Sequence, residues 1–438
     1  MRSKLSRIIL YLAILLLPCL VVAAFHFKTK DIFIYNIGRC LALLAFAILV
    51  LQVVLAARLK WVEEPFGLNL TFPFHRRMGT LAAALLIMHP LFLALGGGGG
   101  KLIYGLKVDW YIWVGKTALV LLLINVGVSL WRARLGIKFE KWRRCHDILG
   151  PLVLVLVFVH SWYASEDLSV RPMQVLWVVF LGGAVLLFAY HRLLRPARLR
   201  NHLYQVTEVR QESPKVWTLK FAPPPGEPRF NFLPGQFQFV TLLRGRGLPE
   251  EEHHFTISSS PTAAGYHAAT IKESGDFTAS IGQTINGDAA IIQAPFGRFS
   301  YVLHPEWRDL AFIAGGIGIT PLMSNLRHMR DTRAERRVLL LYANRDEPDI
   351  IFRKELARME AEGRPDLKVV HILSRPGAAW QGERGHLDRE KLARVAGDHL
   401  ATSTFWLCCP SPMLKSTVAI LRDLGVPYGR ITYEFFSL

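Results

Sequence analysis

Hydrophobic and polar positions follow one rule up to about residue 195 and another after it. The first part is built from long apolar runs: Ile8–Ala24, Leu41–Ala57, Leu81–Leu95, Thr117–Leu130, Leu152–His160 and Val175–Tyr190. Six spans follow, at 7–25, 33–57, 75–95, 110–131, 145–163 and 172–194. Each has roughly 18–24 residues, enough to cross about 30 Å of hydrocarbon as a helix. From Tyr204 the runs shorten and alternate. Gln205–Val209, Val216–Phe221, Gln236–Leu242 and His267–Ile271 read as strands of an antiparallel barrel. After Asp309 the pattern changes again. Strands at Leu310–Ala314, Arg337–Tyr342, Leu367–Ile372 and Thr404–Cys408 alternate with helical stretches at Pro321–Met329 and Phe352–Glu362. That order predicts a doubly wound parallel sheet. The expected organisation is a six-helix membrane domain over 1–195, a barrel domain over 200–303 and an α/β domain over 304–438, with Arg195–His202 as a basic link.

Composition supports the membrane reading: 51% of the 438 residues are hydrophobic, and the mean hydropathy is +0.27. The net charge of +18 is accounted for by topology and gives no reason to expect nucleic acid. Basic clusters fall at Arg2/Lys4/Arg7, Arg58/Lys60/Arg76/Arg77, Arg132–Arg144 and Arg192–Arg200, at alternate ends of the spans. Loops 26–32, 97–109 and 164–171 carry fewer such residues and include Asp31, Asp109, Glu166 and Asp167. The positive-inside rule places the basic ends, the N-terminus and everything beyond residue 200 in the cytoplasm. The first apolar run reads as a transmembrane helix; a signal peptide cleaved near Val22–Ala24 is the other reading. Five cysteines (Cys19, Cys40, Cys145, Cys408, Cys409) form no disulfide framework, zinc spacing or haem-attachment motif.

Four histidines lie inside the apolar spans. His75 and His89 are 14 residues apart, and so are His146 and His160. Fourteen residues are close to four turns and about 21 Å of helix, so each pair shares one face. Spans three and five run in the same direction, which sets His75 opposite His146 near the cytoplasmic side and His89 opposite His160 near the outer side. Ionisable groups in a span are costly and mark function. Two helices with matched imidazoles suit two stacked haems, one ligand from each helix; the plain alternative is helix-packing hydrogen bonds or a proton relay. Any haem would be held non-covalently. Arg76, Arg77, Arg143 and Arg144 at the membrane edge either neutralise haem propionates or simply anchor the spans. Arg39, at the outer end of the second span, either faces an outer propionate or anionic product, or snorkels to the interface.

Three further motifs carry nucleotide chemistry. His253-His254-Phe255-Thr256-Ile257-Ser258-Ser259 ends a strand and offers an aromatic ring and hydroxyls to an isoalloxazine and ribityl chain. Gly275-Asp276-Phe277-Thr278 opens a helical stretch whose free N–H groups would bind a pyrophosphate. Gly315-Gly316-Ile317-Gly318-Ile319-Thr320-Pro321 joins strand to helix and lets a second pyrophosphate approach the backbone. Arg345, Ser374 and Arg375 follow later strands, where an adenosine ribose or its 2′-phosphate would lie, or else are solvated loop residues. Cys408-Cys409-Pro410 ends the last clear strand, at the rim expected for a nicotinamide. The aromatic terminus around Phe436 either stacks on a flavin or packs a last strand.

Together these residues resemble the ferric reductase and NADPH oxidase superfamily over nearly the whole chain. His253, Phe255 and Thr256 match its His-Pro-Phe-Thr/Ser motif, with His254 in place of proline. Gly275–Thr278 match its Gly-Asp-aromatic-Thr. Gly316, Gly318 and Pro321 match Gly-x-Gly-x-x-Pro, and Cys408 and Pro410 match Cys-Gly-Pro, with Cys409 in place of glycine. Glu434 and Phe436 match the terminal Glu-x-Phe, with Ser437 and Leu438 beyond it. No EF-hand loop is present. The resemblance implies a ferredoxin-reductase-type flavin and nicotinamide module behind the six spans, in a bacterial inner membrane. Cys408 and Phe436 would then flank the hydride path. FAD, two bis-histidine b-type haems and NADPH or NADH would be the cofactors. Electrons would go to dioxygen, giving superoxide; to an Fe(III) chelate; or, from an electron-supply subunit, to a redox protein outside the membrane.

Overall fold

The computed structural model describes residues 2–25 and 33–434. The chain divides into two compact units, Met1–Pro196 and Ala197–Leu438.

The first unit holds six apolar helices long enough to cross a membrane: α1 (Arg2–Phe25), α2 (Phe33–Ala56), α3 (Leu68–Leu93), α4 (Trp110–Trp131), α5 (Phe139–Ala164) and α6 (Arg171–Ala189). Prolines inside α1, α3 and α5 (Pro18, Pro73, Pro90, Pro151) do not end these helices, a tolerance typical of spans. The third and fifth helices begin nearly two turns earlier than their hydropathy suggests, so His75 and His146 sit inside helices rather than at their ends. Buried Phe46, Trp177, Met173, Leu122 and Leu154 form the centre of the bundle. The Phe46 and Trp177 rings stack at 4.6 Å, and the Trp177 indole donates to Ser161 Oγ at 2.9 Å. The glycine run after α3 has a physical reason. Gly97 takes φ +108, a backbone that favours glycine, and a Cβ on Gly96 would meet the Tyr35 backbone nitrogen at 2.5 Å.

The second unit contains two six-stranded sheets. One is antiparallel, ordered β4-β3-β6-β1-β2-β5, from β1 (Tyr204–Ser213), β2 (Val216–Ala222), β3 (Phe237–Leu243), β4 (Glu252–Thr256), β5 (His267–Lys272) and β6 (Ala289–Phe296). Its edge strands meet just past β4. Ile257 bridges Ala269, and Ser258 N donates to Ala268 O at 2.8 Å, which closes the sheet toward a barrel and removes its free edges. The other sheet is parallel, ordered β10-β9-β8-β7-β11-β12. It comprises β7 (Asp309–Gly315), β8 (Arg337–Asn344), β9 (Asp366–Leu373), β10 (Glu383–Arg384), β11 (Thr404–Cys408) and β12 (Ile431–Glu434). Strand order reverses between β7 and β11, the switch point where open α/β sheets bind ligands. Helix α7 (Ile319–Asp331) ties sheet to barrel: Ser324 Oγ donates to Ser259 O at 2.7 Å, and Arg327 donates to Ser258 O while forking onto Glu355.

Candidate functional site

In the first unit the four histidines come together as the spacing expects. The His75 and His146 ring centroids lie 6.1 Å apart. Two imidazoles sharing one metal at bonds of about 2.0–2.1 Å, with each centroid about 1 Å behind its nitrogen, would stand about 6 Å apart. Nδ1 of each histidine already has a partner. His89 Nδ1 lies 2.9 Å from Gly38 O, His160 Nδ1 2.8 Å from Tyr111 O, and His146 Nδ1 3.0 Å from Asn125 Oδ1. Three acceptors at three Nδ1 atoms keep the proton there and leave Nε2 as the metal-binding lone pair. In the orientation that satisfies both its ends, the Gln52 amide donates to His75 Nδ1 at 2.6 Å and to His75 O at 3.0 Å and accepts from Gly79 N at 3.1 Å. His89, His146 and His160 therefore fit bis-imidazole iron as they stand, and His75 fits it once the Gln52 amide turns its oxygen to Nδ1.

The holders come from two helices only: Gly38 and Gln52 from α2, Tyr111 and Asn125 from α4. Sequence reasoning missed all four. Gln52 and Asn125 had a signal, since an amide inside an apolar span needs a partner; Gly38 and Tyr111 act through backbone carbonyls and had none. Gly115 was missed as well. A Cβ there would lie 2.6 Å from His160 Nδ1, so the imidazole occupies the space a side chain would fill.

Arg39 is placed differently from the expectation. Its guanidinium grips Asp167, with Nε 3.2 Å from Oδ2 and Nη2 on Oδ1, and donates to Asn36 Oδ1 at 3.0 Å. An arginine forked onto a carboxylate is not a free cation for an acceptor.

In the second unit a cleft of about 480 Å3 opens at the carboxyl ends of β7, β8 and β9. Gly315, Gly316, Arg345, Ser374 and Pro410 line it, joined by Lys272 and Asn344. Gly316 takes φ +54, with open space where a Cβ would be. Both amide atoms of the buried Asn344 lack a partner, a polar group set to meet a ligand. The cleft therefore fits a nucleotide. Other expected residues are structural. Gly318 admits Cys408 O, which a Cβ would meet at 1.9 Å. Thr320 is buried and donates to Ile317 O, and Pro321 is buried in α7. Arg375 reaches this region through its backbone, donating to Arg345 O at 2.7 Å. Cys408 lies fully buried below the cleft lining. Burial, with Glu434 and Cys409 nearby, pushes its thiol well up, and burial pushes Cys409 up to about 12. Neither is a thiolate at neutral pH. Cys409 does not take the left-handed backbone that would demand the glycine of the resembled motif. Phe436, Ser437 and Leu438 lie outside the described residues.

The barrel motifs divide similarly. The His253 ring stacks on Phe277 at 4.1 Å, with Phe255 6.3 Å from His253. These rings are the aromatic surface available to an isoalloxazine. His254 packs against Phe237 and Phe239. Ile257, Ser258 and Ser259 instead close the barrel, and Thr256 is buried. Ser258 Oγ pairs with Thr270 and Ser259 Oγ accepts from Ala268 N. Gly275-Asp276-Phe277-Thr278 leads into a short 3-10 turn, Thr278–Gln283. The Ser274 and Gly275 N–H groups donate to Thr278 Oγ1. The Gly275 donor is thus already engaged, because the threonine hydroxyl folds back on its own turn.

Residues 41–157 match the family described as ferric reductase like transmembrane component, and residues 312–419 match the oxidoreductase NAD-binding domain. The two matches together give the chain a ferric-reductase-like oxidoreductase architecture. Its membrane part is thus joined to a ferredoxin-reductase-like flavin and nicotinamide fold. The glycine betaine monooxygenase reductase subunit of Pseudomonas aeruginosa is 34% identical over 246 residues, 54% of this chain and 64% of that protein. The flavohemoprotein of Halalkalibacterium halodurans is 28% identical over 252 residues, 53% of this chain and 59% of that one. The chain thus spans about three-fifths of the length of these curated relatives. A flavohemoglobin structure from Malassezia yamatoensis is similar in fold, with TM-score 0.50 and 18% identity over 83% of this chain and 98% of that chain.

Proposed function

We propose that this protein carries electrons from cytoplasmic NAD(P)H through FAD and two b-type haems to dioxygen on the outer side of a bacterial inner membrane, releasing superoxide. The observation that carries this reading is the set of four intramembrane histidines whose Nδ1 atoms are already paired and whose inner rings stand 6.1 Å apart. When bound, the flavin takes a hydride and releases electrons singly, and the haems accept them one at a time. The protein's part is positional. Residues 304–438 form the nicotinamide domain, where Gly315 and Gly316 admit a pyrophosphate and Arg345 and Ser374 face the ribose end. Residues 200–303 form the flavin domain, with His253, Phe255 and Phe277 offered to the ring system. Residues 1–195 form the haem domain, in which His75 and His146 hold the inner iron and His89 and His160 the outer one.

The test is the anaerobic visible spectrum of purified protein before NADPH, after NADPH, and after air. Sharp haem bands that grow with NADPH and collapse in air support the whole route to oxygen. Bands that survive air but collapse with an Fe(III) chelate make the acceptor ferric iron. A flavin spectrum without haem overturns the reading of the four histidines.

A further inference from the structure

At the outer end of the bundle, a holder of a histidine is itself held. Gly38 O accepts from His89 Nδ1 at 2.9 Å, and the next residue is Arg39. Arg39 forks onto Asp167, which lies in the short turn Glu166–Ser169 between α5 and α6. The Asp167 side chain is 2% exposed and that of Arg39 13%. Ser165 Oγ donates to Asp167 Oδ2 at 3.4 Å, and Asn36 Oδ1 takes the third arm of the guanidinium. The turn is thereby fastened to α2 one residue from the carbonyl that orients His89.

A buried carboxylate opposite a buried guanidinium leaves no net charge, and removing either partner leaves an uncompensated charge in a poorly screened place. A redox centre nearby responds, because its potential depends on local charge and on hydrogen bonds behind its axial ligands. We propose that Asp167 is a positioning residue for the outer electron site: it cancels the Arg39 charge and, through Arg39, fixes the Gly38 carbonyl behind His89. The sequence alone offers Arg39 either to an outer propionate or anionic product or to the interface; the structure pairs it with Asp167. The inference rests on the bis-histidine haem reading. The inner site offers a parallel, since Asp147, next to His146, pairs with Arg192 on the last span.

The experiment is a potentiometric titration of the full-length protein, following its two haem components by absorbance. Asp167→Asn keeps the shape and removes the charge. It should favour reduction of the outer component by about tenfold, which is 59 mV for a one-electron couple, and leave the inner component in place. Arg39→Gln should shift the outer component the opposite way, and Asp167→Asn in that background should bring it back. This second comparison answers the question even if Asp167→Asn alone does not accumulate. Asp167→Glu, which keeps the charge, should leave the potential near that of the wild type. Unshifted potentials, equal shifts of both components, or a double variant that does not revert would each overturn the role of Asp167. Wild-type protein that purifies without haem would instead overturn the underlying reading of the histidines.

Discussion

Gly115→Ala isolates one histidine without touching it. The new Cβ would lie 2.6 Å from His160 Nδ1, 2.7 Å from Cε1 and 2.9 Å from Cγ. Ordinary contact begins near 3.4 Å, so the ring must retreat by 3.4 − 2.6 = 0.8 Å. A retreat directly away would stretch the 2.8 Å bond to Tyr111 O to about 3.6 Å, which is no longer a hydrogen bond. Loss of such a holder weakens metal binding by about 10–100-fold, or about 1.4–2.8 kcal/mol. The helix itself gains, since alanine is favoured over glycine by roughly 0.8–1 kcal/mol. Any loss must therefore come from the imidazole. The assay is haem content per flavin in protein challenged with a haem-scavenging apoprotein. The wild type should retain its two haems, and the variant should fall toward one. Gly127→Ala, on the same helix with its nearest contact at 3.5 Å, should behave as the wild type. A Gly115→Ala protein that keeps both haems, with unchanged spectrum and unchanged loss rate, would refute the reasoning.

Other consequences can be checked independently. His89→Ala should leave flavin reduction by NADPH intact and abolish delivery to the outer acceptor; delivery at the wild-type rate would remove His89 from the path. Arg345→Ala should weaken NADPH by about tenfold relative to NADH if this arginine meets a 2′-phosphate, read as the ratio of KM values; an unchanged ratio would assign Arg345 to solvent. His267 is sealed among Tyr204, Phe221 and Phe230 with both ring nitrogens unpartnered, and burial together with Arg229 lowers its pKa to about 3. The folded state then resists a proton that the unfolded chain accepts near 6.5. Stability is full above that value and falls as pH drops from about 6.5 toward about 3, by about 2 kcal/mol at pH 5. His267→Phe should flatten this slope in thermal unfolding followed by tryptophan fluorescence, and an equal slope in both proteins would place the acid sensitivity elsewhere.

The architecture was legible in the chain because its signals are collective. Six apolar runs, the switch from alternating to βα patterning near Asp309, and the 14-residue histidine spacing each involve many positions. Individual ligand-facing residues were less legible. Ser258, Ser259 and Thr278 carry the right hydroxyls, but neighbouring backbone groups had claimed them, Thr278 within its own turn. Arg39 carries the right charge, but its partner is 128 residues away, a pairing that no local pattern encodes. Cys408 matched a motif, yet its thiol points into the core. Gly115 could not be read at all, since its role is the space it leaves for an imidazole from another helix.

The sharing of holders divides the bundle by labour. Both histidines of α3 are oriented by α2, and both histidines of α5 by α4. Each ligand helix therefore travels with the neighbour that aims it, as two antiparallel hairpins of consecutive spans. During synthesis such hairpins can enter the bilayer one after the other with their imidazoles already aimed. On the proposed bis-histidine reading, iron would be a late seam between halves prepared separately, so failed haem supply should leave two intact hairpins with a loose joint rather than a misfolded membrane domain.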